Sequence, residues 1–200
     1  MEIIRGKRAS FVSASHLAER LAGYDAVHID IGTGDGRFVR HAAQIYPNCF
    51  VIGIDACREN LREVSRRAPA NALFVIANAQ TLPPELRGLA AYLTINFPWG
   101  SLLEGLLVGD PSLLAGLVMV TRPNARLEVR LNAGALAEAA RSFEKGAGRV
   151  REALSLNGFH MQPPVTLTSR ELRAFPTTWA KRLAFGRDPR ALCLRGERME

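Results

Sequence analysis

Cysteine is scarce in this chain, and the three present (Cys49, Cys57 and Cys193) have no C-x-x-C spacing and no histidine cluster beside them. Their odd number and irregular placement exclude a disulfide framework and a zinc site by pattern, and they read as buried thiols in a reducing compartment. No apolar stretch approaches the ~18 residues of a membrane span. The N-terminal run M-E-I-I-R-G-K-R lacks the apolar centre of a secretory signal. The expected location is therefore cytoplasmic, with no membrane and no metal. Internal repeats and low-complexity tracts are also missing. Lysine is rare, with three among 26 basic residues, and there are only two tryptophans.

What remains is an ordinary globular composition, 48% apolar and 22% charged over 200 residues. That length suits one domain with a proper core. The expected organisation is a single domain over 1–200, opening with a hairpin and helix (1–24) and carrying a functional linker at 168–190. The net charge of +7 is uneven: residues 141–200 hold 12 Lys/Arg against 6 Asp/Glu, whereas residues 1–140 are nearly balanced. A basic surface toward the C-terminal part suits a phosphate-backbone partner, the alternative being solubility with an arginine-rich composition.

The pattern predicts a hairpin over 2–12 turning at Gly6-Lys7. A helix capped by Ser13 or Ser15 should follow, running through Leu21 and ending at Gly23. Strands are expected at 27–31, 50–54, 73–76 and 91–96, with helices at 37–46 and 58–67 between the first three. The runs at 27–31, 50–54 and 91–96 are almost continuously apolar, as parallel strands covered on both faces are. Two short helices over 101–121 break at Gly109-Asp110-Pro111, and strand 125–131 alternates apolar and charged residues, giving it one wetter face. A helix over 136–157 is interrupted at Gly146 and Gly148. Strands 160–167 and 191–195 close the chain, separated by the long connection 168–190. Alternating strands and helices make this α/β, a doubly wound sheet.

Two segments give the sheet a ligand. V-H-I-D-I-G-T-G-D-G (Val27 to Gly36) is a strand with an acid, Asp30, entering a turn with Gly32, Gly34 and Gly36; F-V-I-G-I-D follows and ends at Asp55. An acid about 20 residues after the glycines suits a ribose hydroxyl pair. Asp30 and Asp35 flank the glycines, and carboxylates there repel a pyrophosphate. A cation without phosphate fits better, and S-adenosylmethionine has an ammonium, a sulfonium and a ribose diol. At the same edge of the sheet come N-F-P-W-G-S (Asn96–Ser101) and F-P-T-T-W-A-K-R-L-A-F-G-R (Phe175–Arg187), which hold Trp99 and Trp179. Two aromatic faces among basic residues can grip an unstacked base, and Lys181, Arg182 and Arg187 its phosphates. The plainer alternatives are tryptophans covering the sheet edge and a solvated basic face. His28 and His41 fall in predicted secondary structure and read as packed or surface residues.

H-I-D-I-G-T-G-D-G-R, G-I-D, F-P-W-G-S-L-L-E and W-A-K-R-L-A-F-G-R together resemble the Kam/Npm family of aminoglycoside-resistance methyltransferases, which modify N1 of adenosine 1408 in 16S rRNA within the assembled 30S subunit. The resemblance spans essentially the whole chain, and the tract around Trp179 is its most specific part. It implies a Rossmann-like, mostly parallel seven-stranded sheet with an N-terminal hairpin. It implies S-adenosylmethionine held by Asp30, Gly32 and Gly34 at the methionine end, Asp55 at the ribose, Ala79 and Gln80 along the adenine, and Ser101 near the sulfonium. Trp99 and Trp179 would sandwich the flipped adenine in a pocket shaped by Phe97 and Pro98, with Thr177 offering a hydroxyl. Arg66, Arg67, Lys181, Arg182 and Arg187 would meet rRNA. Because N1 of adenine carries a free lone pair, the implied catalysis is placement without a general base.

The chain also departs from the family. Gln80 stands where a related member has a glutamate, the segment after Arg67 is short, and the 132–150 linker is trimmed. Other readings are a tRNA guanine-N7 methyltransferase, whose relatives carry a similar F-P-x-P-W-like segment, and a weakly active cofactor-binding ribosome or RNA partner. A monomer is expected, since rRNA docking needs a free basic face.

Overall fold

The computed structural model describes residues 1–139, 141–185 and 189–200, with residues 179, 183 and 184 described by backbone alone. In chain order, strands β1 (Glu2–Arg5) and β2 (Arg8–Phe11) lead to helix α1 (Ala14–Leu21), β3 (Ala26–Ile31), α2 (Arg37–Ile45), β4 (Cys49–Asp55), α3 (Arg58–Arg66) and β5 (Ala72–Ile76). After two short 3-10 turns come β6 (Ala90–Asn96), α4 (Gly100–Val108), α5 (Pro111–Val120), β7 (Thr121–Asn132), α6 (Ala133–Glu138) and α7 (Phe143–Leu156). The chain then runs through β8 (Phe159–Met161), β9 (Val165–Leu167), α8 (Ser169–Ala174) and α9 (Thr178–Ala184) to β10 (Ala191–Arg198).

The described strands form one sheet in the order β2-β1-β5-β4-β3-β6-β7-β10-β8, with β9 also on β10. Strands β5, β4, β3, β6 and β7 are parallel, and β10 runs antiparallel to β7. Strand order reverses between β3 and β6, which opens a crevice at their carboxyl ends. The seven expected core strands become ten for two reasons. The hairpin joins the same sheet, since Ile3 of β1 pairs with Val75 of β5. The predicted strand 160–167 is also split at Gln162-Pro163-Pro164, where a proline cannot donate to the ladder, and both halves pair with β10.

Apolar periodicity accounts for the layers. Helices α4, α5 and α7 cover one face through fully buried Leu106, Leu113, Leu117, Val150 and Leu154. On the other face α2 and α3 set Val39, Ala42 and Leu61 against Val51 and Phe74. A small third cluster of Phe97, Leu172, Ala180 and Ala191 packs the linker helices α8 and α9 beside the crevice. The single described helices are all too short or too polar to cross a membrane; the apolar α4 and α5 meet at 96°.

Three expectations change. The helix predicted over 136–157 breaks after Glu138, not at its glycines: α7 runs through both. A Cβ on Gly146 would lie 2.6 Å from Leu136 Cδ2, so that glycine serves the close approach of α6 to α7. Cys57 is exposed just before α3, while Cys49 and Cys193 are buried free thiols. The 168–190 connection contains two helices, so Trp179 lies within α9 instead of in a loop.

Candidate functional site

Strands β3, β4 and β6 end around a cleft of about 310 Å³. Asp30, Gly32, Gly34, Asp55, Ala79 and Gln80, the residues expected to hold a cofactor, line it from one side. Phe97, Pro98, Trp99, Ser101 and Thr177 line it from the other. The glycine turn, the N-F-P-W loop and the linker thus meet in one cavity. The Trp179 side chain and all of Arg187 lie outside the described residues. Among the described residues no group of three or more His, Cys, Asp or Glu is placed to hold a metal ion.

The glycine turn is held by main-chain and carboxylate bonds. Gly32 and Thr33 amides donate to the Ile54 carbonyl at 2.9 and 3.0 Å. The Gly34 amide donates to Asp55 Oδ2 at 2.8 Å, and the Cys57 amide to Asp55 Oδ1 at the same distance. Asp55 therefore clamps the turn while standing at the cleft. Gly36, with φ +64°, begins α2, and a Cβ there would lie 2.6 Å from both Val64 Cγ1 and Phe74 Cε1. Both the backbone and the packing require glycine at this position.

Asp30 is 1% exposed. Its Oδ1 accepts from Thr94 Oγ1 at 2.7 Å and from Asn96 Nδ2 at 2.8 Å, whereas its Oδ2 is buried without a hydrogen bond. Burial pushes its pKa up to about 6, against hydrogen bonds from Thr94 and Asn96 and the charge of Arg130. A buried carboxylate oxygen with no partner at the edge of a cleft suits a cationic ligand group. Asp35, the other acid expected to favour a cation, is engaged elsewhere: Oδ2 accepts from Thr178 Oγ1 at 2.7 Å and lies 3.4 Å from Arg37 Nε.

Behind Asp30 a polar chain crosses the sheet. Arg130 Nη1 donates to Asn96 Oδ1 at 2.8 Å, pairs with Glu128, and lies 4.8 Å above the Phe175 ring. Phe175 stacks on Phe38 at 5.5 Å and meets Phe97 edge-on at 5.6 Å. Phe97 itself has φ +53°, strained for a bulky residue and costing about 1–3 kcal/mol. The Phe97 amide donates to the Arg130 carbonyl at 2.8 Å, and with the Phe175 contact this holds the strained turn just before Pro98 and Trp99 at the cleft. Trp99, 41% exposed, stands at the mouth of the cleft and begins α4.

Thr177 is buried, and its hydroxyl accepts from the Ala180 amide at 3.1 Å, capping α9. Lys181 and Arg182 are exposed on that helix. Arg66 and Arg67 are exposed at the end of α3, at the opposite end of the sheet from the cleft, because α3 leaves β4 at the cleft and descends. His28 is half-buried with Nε2 3.1 Å from Thr94 Oγ1; desolvation, helped by Arg130, drops its pKa to about 4, so it is neutral. It is packed, and it is not an acid or base for the cleft. Sequence reasoning missed Asn96, Arg130, Thr178 and Phe38, whose roles arise from contacts between distant segments. The alternating strand 125–131 did mark a wetter face, and Glu128 and Arg130 lie on it.

A family model described as NpmA: 16S rRNA (adenine(1408)-N(1))-methyltransferase matches residues 2–198. A protein of Escherichia coli named 16S rRNA (adenine(1408)-N(1))-methyltransferase is 34% identical over 205 residues, covering 94% of each chain. One of the same name from Streptoalloteichus hindustanus is 33% identical over 204 residues, again 94% of each. Among solved structures, the 16S rRNA methyltransferase KamB superposes with TM-score 0.90 over 100% of both chains at 28% identity. The antibiotic-resistance methyltransferase Kmr gives TM-score 0.82 at 34% identity, over 100% of this chain and 99% of that one.

Proposed function

Since the chain belongs to the NpmA family of 16S rRNA (adenine(1408)-N(1))-methyltransferases, we propose that it transfers a methyl group from S-adenosylmethionine to N1 of adenosine 1408 in 16S rRNA of the small ribosomal subunit. The observation that carries this reading is the single cleft in which the unpartnered Oδ2 of Asp30 and the Asp55-clamped glycine turn face the Phe97-Pro98-Trp99 loop.

S-adenosylmethionine supplies an electrophilic methyl group on a sulfonium. Asp30 holds the methionine ammonium, and it does so as a carboxylate. Asp55, fixed by Gly34 and Cys57, accepts from the ribose hydroxyls with its remaining lone pairs. Ala79 and Gln80, which line the cleft, would lie along the adenine, and Ser101 would border the sulfonium end. A neutral glutamine in that position gives up one charged acceptor, which weakens the grip without changing the reaction.

On the substrate side, Trp99 and Trp179 stack on the two faces of the extruded adenine, each worth about 1–3 kcal/mol. That offsets the few kcal/mol needed to pull the base from its stack. Phe97 and Pro98 form the floor, and Thr177 keeps its hydroxyl proton available to the base because its oxygen already caps α9. N1 has a lone pair and no proton to lose, so the site needs no base. Catalysis is placement in a cleft from which water is expelled. Lys181, Arg182 and Arg187, with Arg66 and Arg67, hold rRNA phosphates.

The test is primer extension on 16S rRNA from cells expressing the chain, with tRNA labelling as the comparison. A stop beside adenosine 1408 and resistance to kanamycin and apramycin are expected. Labelled tRNA with unmodified 16S rRNA would overturn the proposal in favour of a tRNA guanine-N7 enzyme.

A further inference from the structure

The N-terminal hairpin presents cations that have no ion-pair partner among the described residues. Arg5, Lys7 and Arg8 are exposed around its turn, and Arg5 lies directly opposite Arg8 in the last pair before the turn. Like charges opposed across a strand pair destabilise it. Among the described residues, none of Arg5, Lys7 and Arg8 forms an ion pair, and neither does Arg67, whereas Arg58, Arg62 and Arg66 pair with Glu2, Glu59 and Glu63. The turn is also fixed in place. The Gly6 amide donates to Ser65 Oγ at 2.9 Å, a hydroxyl that is 1% exposed, and the Arg66 stem lies 3.6 Å from where a Gly6 Cβ would be.

The anchor sets Arg5, Lys7 and Arg8 beside Arg66 and Arg67 on one face, at the end of the sheet away from the cleft. We propose that the hairpin turn and the end of α3 together form a docking surface for rRNA phosphates, in which Arg5, Lys7 and Arg8 supply cations that the short segment after Arg67 does not. The inference rests on the reading that the partner is the small subunit. A rigid patch of repelling cations has its self-repulsion relieved by a polyanion, and phosphate contacts of this kind position a protein without reading sequence. A cleft that takes in one base needs a second, distant foothold to fix its orientation on a large particle.

The experiment is binding of the full chain to intact small subunits across a range of salt concentrations. It compares the parent with the triple variant R5Q/K7Q/R8Q, and with K145Q/R149Q/R151Q, which removes equal charge from exposed positions on α7. Unchanged thermal unfolding and S-adenosylmethionine affinity establish that each variant folds. The hairpin variant should bind about tenfold more weakly near physiological salt, with the slope of log affinity against log salt reduced by about 2 to 3. The α7 variant should stay near the parent. Parental binding and slope in the hairpin variant, or an equal loss in the α7 variant, would overturn the proposal while leaving methylation by the parent intact. A parent that neither binds nor methylates the subunit would overturn the reading beneath it as well.

Discussion

The Thr178 hydroxyl donates a 2.7 Å hydrogen bond to Asp35 Oδ2, joining the helix that carries Trp179 to the cofactor turn across 143 residues of sequence. Removing a donor to a charged acceptor costs about 1.5–3 kcal/mol in a site that is not fully exposed. Thr178→Val should therefore loosen α9 over the cleft and lower kcat/KM for the subunit by about tenfold. S-adenosylmethionine affinity, measured by calorimetry, should change little, and Thr178→Ser should restore activity. Equal losses of methylation and cofactor binding would contradict a role in placing the helix.

Trp99→Ala and Trp179→Ala should each lower methylation by about 5- to 150-fold and leave cofactor affinity within about a factor of three. One stacking face is worth about 1–3 kcal/mol, so neither indole is replaced by its opposite partner. Parallel loss of cofactor binding would place the rings in the core instead of on a base.

Asp30 gives a pH dependence whose sign follows from its raised pKa of about 6. The native state holds this proton more tightly than the unfolded chain, so ionising Asp30 lowers stability as pH rises from about 4 to about 6, by roughly 3 kcal/mol. His28, depressed to about 4, acts oppositely: its native neutrality lowers stability as pH falls from about 6.5 to about 4. The two offset each other between about 4 and 6. Asp30→Asn removes one of them, so the variant should be the more stable at pH 7 and should lose stability on acidification where the parent stays level. S-adenosylmethionine affinity in the parent should rise with pH through about 6 and then level off. Thermal melts and calorimetry across this range check both.

Gly36→Ala forces a side chain into left-handed backbone and within 2.6 Å of Val64 and Phe74. Strain and overpacking together should cost about 2–4 kcal/mol, lowering Tm by roughly 4–16 °C for a chain of this size. A melting point within a degree of the parent would show that the turn is not packed as described.

The parallel strands and the glycine turn were legible because their signals are local: near-continuous apolar runs, glycines at the bend, an acid at each strand end. The site was legible as far as those strand ends point. The turn at Phe97 was not, since a phenylalanine with positive φ has no sequence mark and is held by Phe175 and the Arg130 carbonyl from other segments. Asp35 reads from the sequence as a charge that favours a cationic ligand; only the folded chain brings Thr178 to it. Gly146 looked like a helix breaker and instead lets two helices touch. In each case a contact between distant residues overrode the local preference.

The most direct measurement is mass spectrometry of 16S rRNA digests after intact small subunits are incubated with the protein and S-adenosylmethionine. The account predicts one added methyl on N1 of adenosine 1408, formed much more slowly with Trp99→Ala. An unmodified adenosine 1408 in the presence of bound, intact cofactor would contradict it.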